Sequence, residues 1–117
     1  MTTKARIRQA AESGATELDL SGLGLTELPP ELWELSALTK LDLSWNRLTS
    51  LPPEIGNLTR LTELYLQENH LTSLPPEVWR LPRLVKLDIG GNPLPELPPE
   101  LWQKTDWEAL GLSRLNL

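Results

Sequence analysis

The stretch LDLSWNRLTSLPPEIGNLTRLTE, residues 41 to 63, carries the pattern from which the rest of the chain is read. Leu41 and Leu43 alternate with polar residues, as in a strand buried on one face, and Ile55, Leu58 and Leu61 then recur three apart. The same order returns in LYLQENHLTSLPPEVWRLPRLVK from Leu64 and in LDIGGNPLPELPPELWQKTDWEA from Leu87. It also precedes the first stretch, in LDLSGLGLTELPPELWELSALTK from Leu18. The offset is 23 residues each time, without insertion, and LGLSRLNL follows from Leu110. Segments 18–40, 41–63, 64–86 and 87–109 are therefore repeats, and 110–117 is a truncated fifth repeat or a C-terminal cap.

Strands that recur at one fixed spacing stack in parallel, each returning through the intervening segment. That segment holds L-P-P-E-[LIV] and then the three-residue apolar period, Leu32, Leu35 and Leu38 in the first repeat, which suits a short 3₁₀ turn. Proline fixes its own φ and lacks a donor, so Pro52 and Pro53 and their copies hold the chain extended before that turn. The architecture expected is an α/β solenoid with a parallel sheet on the concave face and short 3₁₀ or helical turns on the convex face. Asn46, Asn69 and Asn92 follow the strands, where backbone groups turn inward without a ladder partner. A carboxamide both donates and accepts, so these three residues are expected to form a structural amide ladder between coils. Leu23 and Leu115 hold the equivalent positions in the end coils, where an apolar residue can pack under a cap.

L-x-x-L-x-L-x-x-N-x-L, as in Leu38 to Leu48, is the leucine-rich-repeat pattern, and residues 16 to 117 resemble a leucine-rich-repeat protein. The resemblance implies a right-handed coil and a binding role. The run GNPLPELPPEL, from Gly91 to Leu101, is similar to the closing repeat of Roco-type proteins, in which such a region precedes and regulates or targets a GTPase domain. No G-x-x-x-x-G-K-[ST] loop occurs here, so no GTPase residue carries over. A fragment of such a protein, a free-standing adaptor and a designed repeat protein all fit the resemblance.

The 117 residues read as one domain, without Phe or Cys, so packing is largely aliphatic and no disulfide or thiolate site exists. A solenoid exposes its core at both ends. Residues 1–15 are expected to cap the first coil as a short helix, with Thr2 or Thr3 as N-cap, Gly14 as stop and Ile7, Ala10 and Ala11 inward. Pro98 to Trp107 suggests a helical turn at the other end. The chain shows no N-terminal apolar run and no 18-residue hydrophobic span, and with the lack of cysteine this points to the cytoplasm and away from a membrane. A net charge of −5 without a basic cluster argues against a nucleic-acid partner.

One histidine, His70, excludes a triad or a histidine-rich metal site, and Glu68, Asp42 and Asp88 point in parallel with it rather than converging. Neither an enzyme nor a cofactor is expected. Residues 23 apart become lateral neighbours about 4.8 Å apart on the sheet. Glu17, Lys40, Glu63, Lys86 and Ala109 form an alternating charge column. Next come Asp19, Asp42, Tyr65, Asp88 and Gly111, then Ser21, Ser44, Gln67, Gly90 and Ser113. Just past the strands lie Gly22, Trp45, Glu68, Gly91 and Arg114, then Gly24, Arg47, His70, Pro93 and Asn116.

Trp45 and Tyr65 thus stand on the concave face or its rim, ringed by Asp42, Arg47, Gln67, Glu68, His70 and Asp88. Aromatics among mixed polar neighbours have the composition of a protein-binding hot spot, the competing reading being that Trp45 folds over the next turn. A second group, Trp33, Trp79 and Trp102, shares one convex column interrupted by Gly56. Their rings either lie flat over the leucines or form an apolar patch for self-association or for spacing a larger, Roco-like assembly. The function expected is non-catalytic binding of a protein partner, with the convex stripe as the alternative surface.

Overall fold

The computed structural model describes residues 2–94; Trp102, Trp107, Leu115 and the segment 110–117 lie outside the described residues. Four strands, β1 (Glu17–Asp19), β2 (Lys40–Asp42), β3 (Glu63–Tyr65) and β4 (Lys86–Asp88), form one parallel sheet in sequence order. The register is the repeat offset itself, with Leu18 opposite Leu41, Leu41 opposite Leu64, and Leu64 opposite Leu87. Each strand alternates, so Leu41 and Leu43 are fully buried while Lys40 and Asp42 stay half-buried on the open face. Ladder bonds continue beyond the strands, from Leu43 N–H to Tyr65 O and from Trp45 N–H to Gln67 O.

The return segments are 3₁₀ turns at Pro30–Glu34, Pro53–Asn57 and Pro76–Val78. The first proline of each pair is extended (Pro52 has φ −77° and ψ 159°), and the second starts the turn, where its missing N–H costs nothing. The three-residue period has a hydrogen-bond cause. The Ile55 amide donates to Pro52 O, Leu58 to Ile55 O and Leu61 to Leu58 O, so each inward side chain is tied to the previous one. Ile55, Leu58 and Leu61 consequently meet Leu41, Leu43, Leu64 and Leu66 in one largely aliphatic core. No helix among the described residues is long and apolar enough to cross a membrane.

The N-terminal helix α1 spans Thr3–Ser13, with the Thr2 hydroxyl accepting from Ala5 N–H and Gly14 closing it at φ 65°. Ile7 and Ala10 are buried, whereas Ala11, expected inward, is exposed. The helix packs on the first 3₁₀ turn, and its inward stripe follows positions 3, 7 and 10, which leaves position 11 on the flank. Leu23 also departs from expectation. It is not packed under a cap but exposed, because α1 covers the coil on the side of the 3₁₀ turn and leaves the turn after β1 open.

Candidate functional site

Each strand ends in a turn held by side chains. Asn46 Oδ1 accepts the N–H groups of Leu23 and Leu25 at 3.0 Å, and its Nδ2 donates to Leu20 O and Leu43 O at 3.0 Å. Asn69 and Asn92 repeat this reach to the preceding coil, to Leu43 O and Leu66 O, and accept from Leu48 and Leu71 N–H. All three asparagines are buried. The carboxamide supplies the partners that the turning backbone lacks.

A second device went unread in the sequence. Asp42 Oδ1 accepts both the N–H and the hydroxyl of Ser44, Asp19 does the same with Ser21, and Asp88 accepts from Gly90 N–H. These aspartates therefore brace the strand exits. The Ser21 hydroxyl, and then its N–H, hold the Asp19 carboxyl below the usual carboxylate range. The D-x-S and D-x-G spacing was the available signal. Asp88, grouped above with the candidate contact residues, is buried at 3% exposure, so its contribution is to the turn and not to the open surface.

The third coil breaks the pattern, with Tyr65 and Gln67 in place of Asp and Ser. Tyr65 donates its hydroxyl hydrogen to Glu63, and its ring has Lys40 Nζ 5.8 Å from the centroid and Lys86 Nζ 5.4 Å from it. These are neighbours on the two flanking strands. The lysines of the charge column thus lean on an aromatic face, and among the described residues the column closes one ion pair, Lys40 to Glu17 at 3.8 Å. Burial, then the hydrogen bond to Glu63, push the Tyr65 hydroxyl up to about 12. The Gln67 side-chain oxygen is buried without a hydrogen-bond partner.

Trp45 lies one residue past that face, 64% exposed, with φ 57°. The same left-handed conformation occurs at its lateral neighbours, Gly22 at φ 67°, Glu68 at φ 58° and Gly91 at φ 70°. A side chain is disfavoured there, yet two coils carry one. Glu68 leans across Gly91, where a Cβ would collide with its carboxylate. The sequence sign of this geometry was glycine at Gly22 and Gly91, the outer two of these four positions. Arg47 and His70 are exposed on the rim just beyond. On the convex side Trp33 and Trp79 are buried, at 6% and 7% exposure, and a Cβ at Gly56 would press on Glu77, 3.2 Å away.

A family model described as Leucine rich repeat matches residues 13–71 and again 36–94. Among solved structures, the chain is similar to the leucine-rich-repeat protein LIC12759 of Leptospira interrogans, at 36% identity and a TM-score of 0.65. That match covers 82% of this chain and 31% of the other. The functional domain of InlJ from Listeria monocytogenes, which includes a cysteine ladder, matches at 31% identity and a TM-score of 0.64 over 74% of this chain and 18% of its own. The leucine-rich repeat domain of APL1B matches at 27% identity and a TM-score of 0.70, over 88% of this chain and 32% of its own. The chain therefore spans less than a third of each of these three structures. No curated protein matches the chain.

Proposed function

The chain belongs to the leucine-rich-repeat family, and on that premise we propose that it is a non-catalytic module binding a protein partner through its concave face or the adjoining rim. A stacked-coil surface is extended and curved, the form that suits a macromolecular partner better than a small substrate. The observation that carries the reading is Trp45, a large aromatic exposed at a backbone position where glycine is easier to accommodate. Strain of this kind, kept at a side chain that is mostly exposed, points to a task outside folding. Tyr65 supplies a second aromatic, already oriented by Lys40, Lys86 and Glu63. Asp42, Arg47, Gln67, Glu68 and His70 frame the two rings as a polar rim.

The cytoplasm is the proposed compartment, in keeping with a chain free of cysteine. The convex alternative has less support, because Trp33 and Trp79 have little surface left to offer a partner. The test is capture of partner proteins by the full chain and by the double variant Trp45→Ser, Tyr65→Ser. Capture is expected to weaken by more than about tenfold, or about 1.4 kcal/mol, while the fold survives. Undiminished capture by the double variant removes the concave face and its rim from consideration.

A further inference from the structure

The turn Gly22–Leu23–Gly24 of the first coil lies directly beside Trp45. Gly22 N–H donates to Ser44 O at 3.0 Å, and Leu23 N–H donates to Asn46 Oδ1, so the residues on both sides of Trp45 are bonded to this turn. Leu23, at 37% exposure, and Trp45 are two of the three large hydrophobic residues exposed among the described residues, and these bonds set their backbones side by side. The glycines on either side of Leu23 both sit at φ 67°, and a Cβ on either would meet no atom within 4 Å. The turn is therefore exposed at both glycines, in a backbone that Asn46 holds still and that carries Leu23 beside the strand exit of Trp45. In the next coil the position of Gly24 is taken by Arg47, exposed, whose side chain makes no hydrogen bond or ion pair with any described residue.

We propose that this exposed turn, with Leu23 and Trp45, receives one large apolar or aromatic side chain of a protein segment that carries a carboxylate within a few residues, the carboxylate pairing with Arg47. The proposal rests on the reading that the rim binds a protein, and it names that partner's chemistry. Apolar contact with Trp45 and Leu23 supplies the desolvated centre, and an indole face favours a second ring. A guanidinium without an internal partner is a bidentate site for a carboxylate and repels a basic segment. Because Asn46 already fixes the turn, little ordering is required on this side of the contact.

The probe is a random peptide library displayed on phage and selected on the full chain. Enriched peptides are expected to share an aromatic or large aliphatic residue with Asp or Glu within about three positions. A synthetic consensus peptide is expected to lose about tenfold or more in affinity with Trp45→Gly or Leu23→Ser. Gly24→Asp fills the open space with a residue type that tolerates positive φ, and its carboxylate is expected to repel the peptide. Arg47→Gln is expected to weaken binding and to flatten its salt dependence. Thermal unfolding of each variant establishes that it is folded. Enrichment of basic peptides, of no peptides, or of peptides that bind Trp45→Gly and Gly24→Asp as well as the parent chain overturns the proposal. Peptides that fail only with Tyr65→Ser overturn the turn as the site while leaving binding on the concave face intact.

Discussion

The carboxamide nitrogen of Asn69 lies 3.0 Å from the carbonyl oxygen of Leu43, a residue of the preceding coil. Its oxygen accepts Leu48 N–H from that same coil, so one buried side chain ties two repeats together. Asn69→Ala leaves these groups buried without partners, and the expected cost is about 1–3 kcal/mol. Urea unfolding measures it as a lowered midpoint. An unchanged midpoint would show that backbone and solvent satisfy the turn unaided.

Tyr65 is the one tyrosine of the chain, so its titration can be followed without interference by tyrosinate absorbance. Its hydroxyl ionises near 10 in an unfolded chain and is raised to about 12 here. The folded state thus favours the neutral phenol. That stabilisation is complete below about pH 10 and is lost as pH rises from there through about 12. The folded protein is expected to show tyrosinate only near the upper end of this window, and the urea-unfolded chain near the lower. Tyr65→Phe removes the hydroxyl and with it this alkaline dependence.

Helix α1 seals the first coil, with Ile7 and Ala10 buried and the Arg6 guanidinium 3.4 Å from Asp19 O on the edge strand. Deleting residues 1–14 uncovers that edge and the core behind it. Association, or loss of cooperative unfolding, is expected. Light scattering at several concentrations checks the first and thermal unfolding the second. A truncated chain that remains monomeric and equally stable would show that the helix adds nothing to the stack.

The strands and 3₁₀ turns were legible because their spacing is imposed by the core: every inward leucine recurs at the same offset, and each proline pair marks a turn start. The columns of the open face were legible for the same reason, since register in a stack of equal repeats is arithmetic. What the side chains do within a column was not. Asp42 reads as a surface charge until its bonds to Ser44 are seen, and Lys86 reads as an ion-pair partner until Tyr65 offers a ring beside it. Leu23 reads as a capped residue, yet which side of the coil α1 covers depends on packing beyond the repeat. The backbone at Trp45 was hidden because glycine at Gly22 and Gly91 signals positive φ, whereas tryptophan and glutamate in the middle coils conceal it.

The central claim is that Trp45 serves a contact and not the fold. Trp45→Gly tests it most directly, by measuring the unfolding midpoint and partner capture on the same protein. A side chain at φ 57° costs about 1–2 kcal/mol, and glycine's extra freedom in the unfolded chain returns about 0.5–1 kcal/mol of that. Stability is therefore expected to stay level or rise by up to about 1.5 kcal/mol, while capture falls by more than about tenfold. A midpoint lowered by the equivalent of about 1 kcal/mol or more, or capture equal to that of the parent chain, would contradict the claim.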